Sequence, residues 1–449
     1  MALRDGGSLS TALVARPAPG TQVPAGALSG PPAARRHGPL RRIGDLRRTS
    51  PGRLQLILAG LLILGVLTGL VAGLTGQSTA AGTDDLGNRA QPLLVEAETI
   101  YSALADADTT AAQAFLAGGL EPAPLTKRYN DDLDNATAAL TDAARLTPEG
   151  SAAATSVRSL SSGVAQYAAL VATARANNRQ GLPIGSSYLS AASDLNRTAL
   201  LPQAQSLFRL AQQEVDDGYR NAAGVWWVVL LGLLVLALIG GLLLAQRYLS
   251  RSTHRTFNVP LVGATALTVL LALGTMLVLT TQNAHLGRAD DTGSTPVSQL
   301  AEARIMALRE RGDEALTLAA HGSGSAYETD FRDTDHKLAA ALQNDYLADD
   351  TRTAYNAYAG AHQRVRQFDD QGDYDQAVKL AIGDETGASF TKLTNGLGDA
   401  IDQRKAAFTA EIGDAGRGLG LLTILGPLLA LAVCVLAFFG VRARLEEYR

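Results

Sequence analysis

Four apolar stretches, each long enough to cross a bilayer as a helix, constrain this chain more than any other feature. They run Leu54–Thr75, Val225–Ala245, Phe257–Thr281 and Leu419–Val441, and none contains Asp, Glu, Lys, Arg or His. About 20 apolar residues span the hydrocarbon core of a membrane. The first stretch begins after more than fifty residues, has an overlong apolar core and lacks a convincing cleavage site, so it reads as a retained helix, not a signal peptide.

The distribution of Lys and Arg predicts orientation. Residues 1–53 carry nine Arg against Asp5 and Asp45, the 246–256 connection holds Arg247, Arg251 and Arg255 without an acid, and Arg442, Arg444 and Arg449 follow the last stretch. If every stretch crosses once, these segments share one side, and their Arg excess makes it the cytoplasm. The long connections, 76–224 and 282–418, are then extracytoplasmic, with ten basic and sixteen acidic residues in the first and fourteen and twenty-three in the second. The near-neutral overall balance, 39 basic to 43 acidic residues, argues against a nucleic-acid partner. A single cysteine, Cys434, excludes an intrachain disulfide and a Cys-based zinc site. Intramembrane charges usually mark ion or proton pathways, and their absence from the spans argues against a transporter or an intramembrane protease.

Aromatic residues make up only 5% of the chain and β-branched alternation never persists, so an all-α fold is expected. The order span, long polar segment, span occurs twice, as a duplication produces. Asp108, Gly118-Gly119, Tyr129, Leu133 and Leu140 in the first half are matched by Asp313, Gly322, Tyr327, Phe331 and Leu338 in the second. Val157, Leu160, Val164, Tyr167, Val171 and Ala174 form the seam of a bundle helix, as do Ala354, Tyr358, Ala361, Val365 and Phe368. Each connection reads as a four-helix bundle, with helices near 84–117, 125–147, 149–180 and 186–222, then 285–321, 325–347, 349–371 and 374–416. The expected layout is a disordered Arg/Pro/Gly-rich cytoplasmic tail (1–53), whose Arg pairs suit contact with anionic lipid, then a span (54–75), the first bundle (76–224) and a second span (225–245). A cytoplasmic loop (246–256), a third span (257–281), the second bundle (282–418), a fourth span (419–441) and a short cytoplasmic tail (442–449) complete it. Without a proline between Leu54 and Gln91, the first span is expected to run on as a bundle helix. Gly65, Gly69 and Gly73 line one face of that span, suiting close packing among the four spans or, alternatively, a homodimer seam.

No catalytic constellation stands out, and no cofactor or metal is expected. His321-Gly322-Ser323-Gly324-Ser325 lacks the register and preceding strand of a nucleophile turn. Asp330, Asp333, Asp335 and His336 read as an exposed acidic face, and Asp369, Asp370, Asp373 and Asp375 lack the spacing of a calcium loop. His254 and His285 sit at opposite ends of the third span. At the far tip of the first bundle, Leu120, Pro122, Pro124 and Leu125 converge with Leu182, Pro183 and Ile184, an apolar patch suited to protein docking or to closing the bundle end. The matching loops of the second bundle are polar. Neither the eight-residue tail nor the eleven-residue middle loop is large enough to hold a kinase or methylation helices.

Four spans from Leu54 to Val441, two membrane-anchored four-helix ectodomains and little cytoplasmic mass resemble the GlnX family of actinobacterial membrane proteins. That resemblance is architectural and supplies no binding residue. It implies a sensor that couples an extracytoplasmic solute-binding lipoprotein (GlnH), reporting aspartate, glutamate or glutamine, to a cytoplasmic serine/threonine kinase (PknG). The ectodomains are also similar to the four-helix sensor domains of chemoreceptors, although the cytoplasmic signalling hairpin of chemoreceptors is absent. Two alternatives remain: direct binding of a small molecule, with Arg128, Arg158 or Arg197 holding a carboxylate, and a non-signalling accessory or scaffold subunit of a transporter. An enzyme is the least expected class.

Overall fold

The computed structural model describes residues 50–116, 121–253, 258–319 and 324–445, and every regular element among them is helical. In chain order these are α1 (Ser50–Asp85), α2 (Gln91–Leu116), α3 (Ala123–Leu146), α4 (Ala152–Arg179), α5 (Ile184–Leu195), α6 (Leu201–Ala223) and α7 (Val225–Thr253). The second half comprises α8 (Val259–Ala289), α9 (Thr295–Ala319), α10 (Ser325–Ala341), α11 (Asp349–Asp370), α12 (Tyr374–Ala381), α13 (Asp384–Ala415) and α14 (Leu419–Leu445).

Four helical stretches are long and apolar enough to cross a membrane, and they contain the first, second and fourth segments read from the sequence and the third from Val259 onward. Large apolar side chains such as Leu70, Leu236, Leu277 and Leu431 are exposed along them, a pattern that suits lipid and not water. The spans close a ring: α1 packs on α14 and α7, and α8 packs on α14 and α7. The Gly65, Gly69 and Gly73 face supplies the α1–α14 seam. A Cβ on these residues would lie 2.5 Å from Cys434 Sγ, 2.9 Å from Ala430 Cβ and 3.2 Å from Pro427 Cγ. The stripe therefore serves packing within one chain.

Entry into the helix sets outside the apolar stretches differs from exit. α1 continues into α2 through a π-helical turn at Leu86–Ala90, and α8 continues into α9 through another at Asp290–Ser294. Pro92 and Pro296 each follow two residues after such a turn. A helix-interior proline lacks an N–H and crowds the carbonyl four residues back, and the widened turn accommodates both defects. A third π turn, Asn196–Leu200, precedes Pro202 in the same way. At the exits, Gly224 (φ 55°) separates α6 from α7, and Gly418 (φ 88°) lies between α13 and α14. These left-handed conformations favour glycine and interrupt the helix.

Outside the spans, α2–α6 and α9–α13 each surround fully buried side chains, including Tyr167 and Tyr358. One hydrophobic core nevertheless runs through both sets, from Leu86 to Ala415, and the described residues from Leu54 onward form one compact unit. The two sets meet along α2 and α9, the helices continuous with the first and third spans. The expected last helix, 374–416, is broken at Ile382-Gly383, where a Cβ on Gly383 would meet the Lys379 carbonyl at 2.7 Å.

Candidate functional site

The α2–α9 seam is held by polar side chains. Arg304 of α9 reaches Glu98 of α2 at 3.4 Å, Ser294 Oγ donates to Gln91 Oε1 at 3.2 Å, and Tyr219 Oη shares a 2.7 Å hydrogen bond with Ser294. The central contact comes from Arg197, carried on the π turn before Pro202. Its guanidinium donates to Asp313 Oδ1 at 3.0 Å and lies 3.7 Å from Asp108 Oδ2. One cation thus grips an acid on each continuous helix. Gly312 makes the approach possible, since a Cβ there would sit 2.6 Å from the Arg197 Nη2 atom.

Asp108 also accepts from Ser193 Oγ at 2.8 Å and Tyr167 Oη at 3.4 Å. Burial pushes the Asp108 and Asp313 carboxyls above their ordinary values, and Arg197 draws both partly back. Beside this bridge lies a cavity of about 380 Å³ between the two helix sets, lined by both aspartates, Arg197, Arg309, Tyr101 and Tyr327 among others. Arg197 stands over the Tyr327 ring, 5.6 Å from its centroid.

The second helix set contains an ionic cluster absent from the sequence reading. His362 is stacked on Phe331, with ring centroids 3.6 Å apart, and lies 3.5 Å from Glu314 and 3.3 Å from Glu328. Arg311 donates to Glu314 at 2.6 Å and Tyr358 Oη donates to it at 3.2 Å. Burial disfavours charge on His362, but the two glutamates outweigh it and raise its pKa. Burial likewise pushes Glu314 and Glu328 up. Arg311 with His362 overcomes this at Glu314, and His362 with Arg366 overcomes it at Glu328, so both end below their ordinary values.

The docking residues read from the sequence are only partly brought together. Leu120 lies outside the described residues. Pro122, Pro124, Leu182, Pro183 and Ile184 are exposed, and Arg175 ties the two loops to one end of the molecule through Glu121 at 2.6 Å. Leu125 is half-buried and lines an inner groove with Arg128 and Ile382 instead. Of the arginines considered as carboxylate holders, Arg128 pairs with Asp106 at 3.2 Å, Arg158 is exposed beside Thr155, and Arg197 is already engaged by two acids. Tyr327 faces the cavity between the helix sets, whereas Tyr129 pairs with Tyr167 at 6.5 Å. The counterpart of that ring pair is Phe331 with Tyr358 at 6.4 Å, so Tyr129 shares its surroundings with Phe331, one turn beyond its expected match.

His254 and His321 to Ser323 lie outside the described residues. His285 hydrogen-bonds Glu411 at 2.7 Å where α8 meets α13. Asp330 pairs with Arg309, Asp335 accepts from Tyr355, and Asp369 and Asp370 pair with Arg366. Among the described residues, no group of three His, Cys, Asp or Glu is placed to hold a metal ion.

Residues 82–220 match the model of the actinobacterial sensor domain family. The matched region begins within α1 and ends within α6, so it contains Asp108 and Arg197 but not Asp313. No curated protein and no solved structure matches the chain.

Proposed function

We propose that the protein is a membrane sensor that relays an external event by shifting α1–α2 against α8–α9. The observation that carries this reading is the Arg197 bridge between Asp108 and Asp313, one acid on each helix that continues into a span. A helix transmits axial or tilting displacement along its length, and shifts of about 1–2 Å suffice in known switches. The glycine breaks at 224 and 418 leave the exit helices less able to transmit the same strain.

The Arg-rich termini face the cytoplasm in this reading, and the helix sets face outward in a multi-pass plasma-membrane protein without enzymatic activity. The exposed Leu182-Pro183-Ile184 tip is the docking surface for an extracytoplasmic solute-binding lipoprotein reporting an amino acid, the partner implied by the GlnX-type resemblance. A cytoplasmic serine/threonine kinase is the corresponding effector.

The relay is tested with Gly312→Ala, whose added methyl displaces the Arg197 guanidinium. Spin labels at the exposed positions Gln55 and Val262, in a Cys434→Ala background in nanodiscs, report the separation of the first and third spans. A shifted distance distribution is expected, and an unchanged one removes the relay. The partners are tested by cross-linking in native membranes: Leu182→Asp with Ile184→Asp should abolish capture of the binding lipoprotein while leaving insertion intact. Undiminished capture would remove the docking assignment.

A further inference from the structure

The geometry points to the cavity beside Arg197 as a binding site for a small organic cation of the diamine type. This assignment rests on the relay reading only for its consequence, not for binding itself. Four carboxylates, Asp108, Asp194, Asp313 and Asp330, line the cavity against two guanidiniums, Arg197 and Arg309. With all six groups ionised, the lining carries a surplus of negative charge. A carboxylate ligand would add to that surplus, so the arginines are internal counter-ions and the vacant complement is cationic.

Asp313 supplies an independent sign of an unfilled partner. Its side chain is 2% exposed, yet Oδ2 has no hydrogen-bond donor, with Arg309 Nε only at 4.0 Å. A buried carboxylate oxygen without a donor is costly, and an ammonium N–H entering the cavity would satisfy it. Asp194 and Asp330 are exposed and belong to different helix sets, α5 and α10, so the second ammonium group meets carboxylate at the rim. The absence of a metal-like cluster among the described residues favours charge spread along an organic chain over one compact ion. Tyr101 and Tyr327 are among its lining residues, and about 380 Å³ lies within the usual range of ligand cavities. An ammonium group on Asp313 competes with Arg197 for the acid that joins the two continuous helices, which couples occupancy to the relay.

The test is calorimetric titration of the full chain in nanodiscs with putrescine at fixed ionic strength, with glutamate as the anionic comparison. Saturable putrescine binding and none by glutamate are expected. Asp194→Asn and Asp330→Asn, both at exposed positions, should each weaken binding about fivefold. Asp142→Asn, remote from the cavity lining, should leave it unchanged. Absence of saturable binding, equal affinity in the rim variants or preference for glutamate overturns the site. Putrescine binding without movement of the labels at 55 and 262 instead overturns the relay and leaves the site standing.

Discussion

The two helix sets bury a tyrosine hydroxyl against a carboxylate, but they surround it differently. In the first, Tyr167 and Ser193 donate to Asp108 as neutral hydroxyls, and Arg197 approaches from the seam. In the second, Tyr358 donates to Glu314 beside Arg311 and His362, with Glu328 and Arg366 adjoining. The two helix sets thus have different internal environments, one based mainly on hydrogen bonds and one on mutually dependent charges. Buried charges add little net stability over well-packed apolar groups, but removing one partner is severe. The second set should therefore be the more fragile to single substitutions and the more responsive to pH.

The largest effect is expected from Arg311→Ala. Arg311 is 6% exposed and binds both Glu314 and the Ala381 carbonyl, so its removal strands a buried carboxylate at a cost of about 3–5 kcal/mol. Thermal unfolding of the detergent-solubilised chain checks the loss. Arg311→Met combined with Glu314→Leu should recover most of it, whereas equal damage in the double variant would show that charge imbalance is not the cause.

Glu310→Met should act in the opposite direction. Glu310 is fully buried, neither carboxylate oxygen has a hydrogen-bond partner, and burial with Asp335 raises its pKa to about 9. The folded chain retains a proton that the unfolded chain loses near pH 4.5, so this glutamate destabilises progressively as pH rises through that interval. The substitution should gain about 3 kcal/mol at pH 7, little at pH 4, and more toward pH 9. A gain independent of pH would assign it to packing instead.

The apolar stripes and turn residues made the helices legible because their signals are local. Val157 through Ala174 and Ala354 through Val365 lie on buried faces as their spacing requires. The acids of α9 were not legible in the same way. Glu310, Asp313 and Glu314 share a helix with Arg309 and Arg311, a pattern equally suited to a solvated face. The approach of α2, α10, α11 and the Arg197 turn buries them, through contacts outside their own helix. The seam was hidden for the same reason, since reading each half as a separate bundle gives Arg197 no reason to meet Asp313. The π turns precede prolines that are visible in the sequence, but proline alone does not distinguish a widened turn from a helix start.

Ser193→Ala probes the hydrogen-bonded environment with a smaller expected effect. Its hydroxyl is buried and donates to Asp108 at 2.8 Å, and losing this bond to a buried carboxyl should cost about 1–2 kcal/mol. Hydrogen exchange should place that loss in α2 and α5, with the second set unaffected. Equal loosening of α11 would mean that the two environments are coupled through the seam and do not behave as separate cores.

The sharpest test of the contrast is His362→Gln in the Glu310→Met background. The raised folded pKa of His362 means that its contribution is fully present below the unfolded value, about 6.5, and is lost as pH rises through the folded value. Glu314 and Glu328, with lowered folded values, contribute above their unfolded value and lose that contribution as pH falls through the folded one. The cluster is therefore most stabilising between about pH 4.5 and 6.5. Hydrogen exchange in α10 and α11 should become faster above that window in the parent and remain nearly level in His362→Gln. No histidine occurs in residues 76–224, so exchange in α3 and α4 should not respond to this substitution. If α10 and α11 keep the same alkaline loosening without His362, the charge cluster is not what makes the second helix set pH-responsive.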